Sequence, residues 1–359
     1  MNISQKTLIE RVKNRKRVSQ EEGEALYELD LFTLGELADT IRRKRYGNKS
    51  YFNINRHINP TNICKDICKF CAYSATRKNP NQYAMSHDEI LNIAKNSMSN
   101  GAKEVHIVSA HNPEVGLEWY MGAFRKIKDR YPSLHIKALT AAEVNFLARE
   151  YDMSYDEVLD LMIESGVDSM PGGGAEIFDE EVRDFICKGK VTSTQWLDIH
   201  RKWHNRGRMS NVTMLFGHVE NRSHRIDHML RLRELQDETG GFNAFIPLVY
   251  QRDNNYLKVT NYPTGQEILK TYAISRIVLD NIPHIKAYWV TASIGLALMA
   301  QEFGADDLDG TIERESIQSA AGAASSNGMN IDEFVALIKN SGFDPVERDS
   351  LYNELREYR

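Results

Sequence analysis

From Tyr51 onward, short β-type runs alternate with amphipathic stretches eight times, and few folds accommodate that order. The β-type runs are Tyr51–Asn59, Glu104–Ser109, His135–Thr140, Val167–Met170, Ser210–Leu215, Ala244–Tyr250, Ile285–Thr291 and a short Asp306–Asp309. Helix-start signals stand between them. Ser86-His87-Asp88-Glu89, Ser154-Tyr155-Asp156-Glu157, Thr192-Ser193-Thr194-Gln195 and Thr264-Gly265-Gln266-Glu267 each fit the capping box. After Asn221, residues Ile226, Met229, Leu230 and Leu235 fall near one helical face, as core packing requires. Tandem strand–helix units imply parallel pairing, and eight of them imply a closed (β/α)8 TIM-type barrel in the α/β class. The stretch Tyr51–Thr311 covers 261 residues, close to the roughly 250 typical of such barrels. A six-strand open barrel with a separate C-terminal piece is the alternative.

Residues 1–50 read as an N-terminal helical cap, with Leu26, Leu29, Leu31, Leu34 and Leu37 interspersed with charges. The barrel is expected over 51–327. Residues 328–359 are expected as a C-terminal helical extension of one or two helices packed on the same domain. Neither an internal repeat nor a low-complexity segment stands out. The run from Arg231 to Glu238 reads as a solvated helix face.

Three of the four cysteines fall in Ile63-Cys64-Lys65-Asp66-Ile67-Cys68-Lys69-Phe70-Cys71-Ala72-Tyr73. Cys64, Cys68 and Cys71 are spaced Cys-x3-Cys-x2-Cys, just past the first strand, on the face where barrel enzymes place their chemistry. Soft thiolates in this number suit a four-iron cluster. Three ligands hold three irons and leave the fourth open for chemistry, whereas electron carriers fill all four positions. A structural zinc completed by a histidine is the competing reading, although zinc ligands usually arrive as separated pairs. Cys187 reads as a small buried hydrophobe. A disulfide framework would staple little of a chain this long.

Charge excludes other partners. Lys plus Arg total 45 against 50 for Asp plus Glu, a net charge of −5, so composition gives no support for nucleic acid. The N-terminal Met1-Asn2-Ile3-Ser4-Gln5-Lys6 lacks the apolar core of a signal peptide, and no apolar run reaches membrane-spanning length. Free thiols then point to the reducing cytoplasm.

The cysteine triad after a first barrel strand resembles that of the radical S-adenosylmethionine (SAM) superfamily. The resemblance implies a [4Fe–4S] cluster on Cys64, Cys68 and Cys71, with SAM chelated at the open iron. Tyr73 matches the aromatic position beside the adenine; an ordinary packing aromatic is the other reading. Further segments are most similar to the aminofutalosine synthases of the futalosine route to menaquinone. They are Ile58–Cys64, Lys137–Glu143, Met170–Phe178, Thr213–Glu220, Arg231–Phe242 and Asp307–Thr311. The activity implied is a transfer in which SAM is also a substrate. Its 5′-deoxyadenosyl radical adds to the enol ether of 3-[(1-carboxyvinyl)oxy]benzoate, and aryl migration and decarboxylation give 6-amino-6-deoxyfutalosine with release of methionine. The alternatives are a cyclic dehypoxanthine futalosine synthase or deazaflavin-chromophore synthase that abstracts hydrogen, and a non-catalytic zinc-binding protein. An external one-electron donor of flavodoxin or ferredoxin type is implied, with no membrane or nucleic-acid partner.

Candidate SAM contacts are Tyr73, Ser109, Gly172, Gly173 and Glu176. Gly172-Gly173-Gly174 could let backbone approach the ligand or could simply make a tight turn. Many superfamily members carry a glycine-rich segment after the second strand; here Val108-Ser109-Ala110-His111 replaces it, so Ser109 is the candidate for the SAM amino group and His111 could face the substrate. For the substrate's two carboxylates the mouth must offer donors. Arg56, His57, Asn59, His111, Asn211, His218, Arg252 and Thr291 are the candidates by position. Asp309 reads as a helix N-cap or as part of an anion site.

Overall fold

The computed structural model describes residues 4–75, 79–312, 316–323 and 328–358. The expected boundary at residue 327 and the first three residues of the N-terminal segment lie outside the described residues.

Among the described residues there are ten strands: β1 Lys49–Asn53, β2 Asn55–Ile58, β3 Glu104–Ile107, β4 His135–Ala138, β5 Ser210–Phe216, β6 Phe242–Val249, β7 His284–Ile285, β8 Asp307–Gly310, β9 Asp344–Arg348 and β10 Glu354–Glu357. Only Ile54 separates β1 from β2, and together they form one kinked first strand. Its lower half pairs with β8, while its upper half pairs with β3, both in parallel. The ring continues through β3–β4, β5–β6 and β6–β7, again in parallel. Parallel bridges Lys137↔Ser169 and Met170↔Ser210 carry it across the fourth position, and Lys286↔Asp307 joins β7 to β8. The barrel closes with eight positions, as the alternation predicts, and the six-strand alternative falls.

Two runs differ from expectation. The fourth is reduced to the bridging residues. The seventh is a regular strand only over His284–Ile285, keeps its pairing to β8 through Lys286 and Ala287, and then turns into the helix Trp289–Ala292, where the buried Trp289 indole donates to the Gly310 carbonyl at 2.9 Å. Ser86, Ser154 and Thr192 cap their helices reciprocally. Thr264 accepts from the Glu267 amide without the return bond, because Arg222 and Arg225 hold the Glu267 carboxylate at 2.9 and 2.8 Å.

Three helices, Gln5–Lys13, Gln20–Leu26 and Leu31–Tyr46, precede the barrel. Arg42 is fully buried beneath them and donates to the carbonyls of Ala305, Gly47 and Lys49 at 3.0, 3.1 and 2.7 Å. The charged run on the helix Arg222–Thr239 is less solvated than its composition suggests. Arg233 reaches the carbonyls of Val18 and Val278, and Asp237 pairs with Arg17 at 2.6 Å, so the run fastens the N-terminal helices to the barrel.

The C-terminal stretch corrects its expectation. One helix, Ile331–Asn340, is followed by β9, which pairs in parallel with β1, and by β10, which runs antiparallel to β9. The turn between these strands closes the N-terminal end of the barrel. Arg348 pairs with Asp307 at 2.6 Å and Ser350 donates to Glu104. Asn243 donates to the Ser350 carbonyl at 3.2 Å, and Tyr352 stacks on His284 with ring centroids 3.6 Å apart. Charged residues here read as helix surface in the sequence, yet Glu347 and Arg348 are buried. Arg348→Met would strand the buried Asp307 carboxylate. It should cost about 3–5 kcal/mol, measured as a lower urea midpoint with an unchanged slope.

Candidate active site

The cysteine loop leaves the upper end of β2 and is pinned from three sides by backbone hydrogen bonds. The Lys65 amide donates to the His111 carbonyl at 2.9 Å and the Lys69 amide to the Ile186 carbonyl at 2.8 Å. The Lys69 carbonyl accepts from the amides of Tyr256 and Leu257 at 2.7 and 2.9 Å. Loops after β3 and β6 and the helix Glu180–Cys187 therefore fix a segment with no regular structure of its own. Cys64, Cys68 and Cys71 are free and half-buried, while Cys187 is buried in the core as expected.

Burial pushes the Cys64 and Cys68 thiols up, and at Cys68 the Lys190 charge opposes it. Lys190 lies 2.7 Å from Glu176. Burial works to lower its pKa, but Glu176, Cys68 and Cys187 raise it well above the ordinary value. Glu176 is held below the usual carboxylate range because Lys190 outweighs burial. Thiols of this kind ionise when a metal takes the place of the proton.

Among the described residues no three His, Cys, Asp or Glu side chains converge on a single-ion site. Tetrahedral zinc, with bonds of about 2.3 Å, would require such convergence. A four-iron cluster gives each thiolate its own iron and does not. Three soft donors on one pinned loop, with Lys190 to offset negative charge, fit the cluster.

The candidate SAM contacts divide. Tyr73 donates to the Thr61 carbonyl at 3.2 Å and shares a hydrogen bond with Tyr83, so its hydroxyl braces the loop and its ring is what remains for a ligand. Ser109 spends its hydroxyl on the Ala110 carbonyl and its amide on Glu143, both at 2.9 Å. Its hydroxyl oxygen keeps its lone pairs as acceptors, which is what an amino group requires. A Cβ on Gly172 would fall 2.5 Å from the Val212 Cα, and one on Gly173 would fall 2.8 Å from Thr140; close packing accounts for both glycines. Glu176 sits at φ +46°, a left-handed conformation that costs energy and clusters at functional sites.

The substrate candidates scatter. His111 lies 2.8 Å from Asp66 and stacks on Phe146 beside the cysteine loop. His218 has Nε2 3.0 Å from the Leu215 carbonyl, while its Nδ1, 3.2 Å from Glu220, is buried without a hydrogen-bond partner. Asn59 donates to the Val108 carbonyl and Asn211 to Asn243. Arg252 is exposed over the Tyr262 ring, outside the barrel. Thr291 is buried, its carbonyl accepting from Gln251. Arg56 is half-buried on β2. His57 meets His106 edge to face at 4.6 Å inside the barrel.

Sequence reasoning missed the lumen's charges. Lys137 pairs with Glu104 at 2.7 Å and Lys286 with Asp309 at 2.8 Å. Asp309 is thus neither an N-cap nor an anion site: burial opposes its ionisation, but Lys286 and His57 hold it well below the usual range. Residues Lys190 and Glu143 were also missed as site electrostatics. A lysine at the centre of an otherwise apolar strand was the available signal.

Gly172→Ala presses a methyl into the immovable backbone of β5. It should cost at least about 1–3 kcal/mol, read as a lower Tm with the iron content of the refolded protein unchanged.

The description "Radical SAM superfamily" matches residues 58–232, and "CofH/MqnC C-terminal region" matches residues 239–358. The chain is 40% identical over 363 residues to aminodeoxyfutalosine synthase of Streptomyces coelicolor, covering 98% of this chain and 94% of that protein. It is 41% identical over 354 residues to aminodeoxyfutalosine synthase of Thermus thermophilus, covering 97% and 95%. Methylornithine synthase (PylB) shares the fold, with a TM-score of 0.76 at 16% identity over 94% of this chain and 97% of that one. The pinned cysteine loop and these matches lead to one conclusion: the chain belongs to the radical SAM superfamily, whose enzymes use a [4Fe–4S] cluster and S-adenosylmethionine, and within it to the group with the CofH/MqnC C-terminal region.

Proposed function

We propose that the chain is an aminodeoxyfutalosine synthase, acting on 3-[(1-carboxyvinyl)oxy]benzoate and SAM in menaquinone biosynthesis. The observation that carries this reading is identity of 40–41% to two such synthases across nearly the whole chain, lumen strands and C-terminal floor included.

Cys64, Cys68 and Cys71 would hold the cluster, which would supply the electron for reductive cleavage of SAM to methionine and the adenosyl radical. The chain's own residues confine that radical. The barrel walls and the C-terminal turn keep water from it, which favours addition to the enol ether over side reactions. C5′ would bond to the vinyl methylene, the aryl group would migrate, and the carboxylate would leave as the carbon dioxide radical anion, which becomes carbon dioxide on giving its electron back, so that the product is closed-shell and the electron is not consumed. Glu176, fixed by Lys190 near Cys68, accepts from the ribose hydroxyls. The Tyr73 ring and the Gly172–Gly173 backbone line the same side. His111, held by Asp66, steadies the loop rather than the substrate. A flavodoxin- or ferredoxin-type donor in the reducing cytoplasm supplies the electron. Among the described residues no helix is long and apolar enough to cross a membrane.

Anaerobically reconstituted protein given a reductant, SAM and the enol ether should yield aminodeoxyfutalosine and methionine in equal amounts. Accumulation of 5′-deoxyadenosine in step with substrate loss would instead group the chain with its hydrogen-abstracting relatives. Cys68→Ala should abolish turnover yet leave the far-ultraviolet circular dichroism unchanged, since the loop lies outside the core.

A further inference from the structure

The same four residues, His-Ile-Lys-Ala, occur at 135–138 on β4 and at 284–287 on β7. These are the third and seventh positions of an eight-position ring and face each other across the lumen. Ile136, Ala138, Ile285 and Ala287 are fully buried, at 0% exposure. Alternation along each strand then turns the lysines inward. Charge confirms the orientation: Lys137 feels Lys286, Glu104 and Asp309, contributed by three other strands, and the lumen is the space those strands share.

Lys137 and Lys286 are 4% and 1% exposed. An ammonium has three donors. Among the described residues each makes a single hydrogen bond, Lys137 to Glu104 and Lys286 to Asp309. The buried Nε2 of His106, on the strand between β2 and β4, has no hydrogen-bond partner. Buried donors left unpaired are costly, and the nearby acids supply too few acceptors: Glu104 Oε2 takes both Lys137 and Ser350 and leaves its Oε1 unpaired, and Asp309 lies 4.0 Å from Arg348. The lumen therefore presents converging donors in want of an acceptor, above a closed floor and below the cysteine-bearing mouth. A carboxylate is the acceptor that fits, because it takes several N–H bonds at once.

We propose that Lys137, Lys286 and His106 form the seat for the ring carboxylate of the enol-ether substrate, holding it at the closed end of the lumen so that the vinyl group faces the mouth. The proposal rests on the substrate reading above. Glu104 and Asp309, braced from below by Ser350 and Arg348, are positioning residues that aim the two ammonium groups.

Calorimetric titration of the reconstituted enzyme, without reductant so that no turnover occurs, tests it with two ligands. One is 3-[(1-carboxyvinyl)oxy]benzoate and the other its analogue with a ring carboxamide. Lys286→Gln and His106→Phe should each weaken the benzoate about 10- to 100-fold, the range for a hydrogen bond to a charged group, and leave the carboxamide within about twofold. The charge-balanced pair Lys286→Met with Asp309→Asn should do the same, and it removes the risk that a stranded Asp309 unfolds the barrel. Equal losses for both ligands, or none for either, would overturn the seat alone. Failure of the unaltered enzyme to bind the benzoate would overturn the substrate reading and the seat together.

Discussion

The kink at Ile54 is the constraint on which the rest of the molecule depends. Below it the first strand pairs with β8 and β9; above it the same strand pairs with β3. One strand thus closes the ring and admits the C-terminal strands, and its upper end launches the cysteine loop. The cap at the floor and the loop at the mouth both depend on how this one strand divides its pairing.

Closure creates a lumen that is charged rather than apolar. Buried ions are costly unless paired, and here each has a partner: Lys137 with Glu104, Lys286 with Asp309, Arg348 with Asp307. Burial alone would neutralise Glu104, yet Lys137 holds it well below the usual carboxylate range. A fold that needed only stability would fill this space with branched aliphatic side chains. Paired charges with spare donors set the lumen apart from the mouth, where Lys190 and the three thiols lie.

Much of this was legible in the sequence because it was local. Capping boxes at Ser86, Ser154 and Thr192 mark helix starts through contacts three residues apart, and the cysteine triad declares its chemistry through spacing. What escaped was set by distant partners. Arg348 and Glu347 look like helix surface until β1 pairs with β9 and buries them. His218 stands beside Glu220 with its Nε2 on the Leu215 carbonyl. Gly172 reads as a place where backbone approaches a ligand or turns tightly, and only the fold shows the backbone of β5 2.5 Å from its missing Cβ. Lys137 and Lys286 sit in plain view as polar interruptions of apolar strands, but only ring closure turns them toward each other.

The central claim is that the adenosyl radical forms a carbon–carbon bond to its substrate. Turnover with SAM carrying 13C at C5′ and enol ether carrying 13C at the vinyl methylene tests it directly. The account predicts a product whose two labelled carbons show one-bond 13C–13C coupling in the NMR spectrum. Label recovered as the methyl carbon of free 5′-deoxyadenosine, with no coupled product, would contradict it.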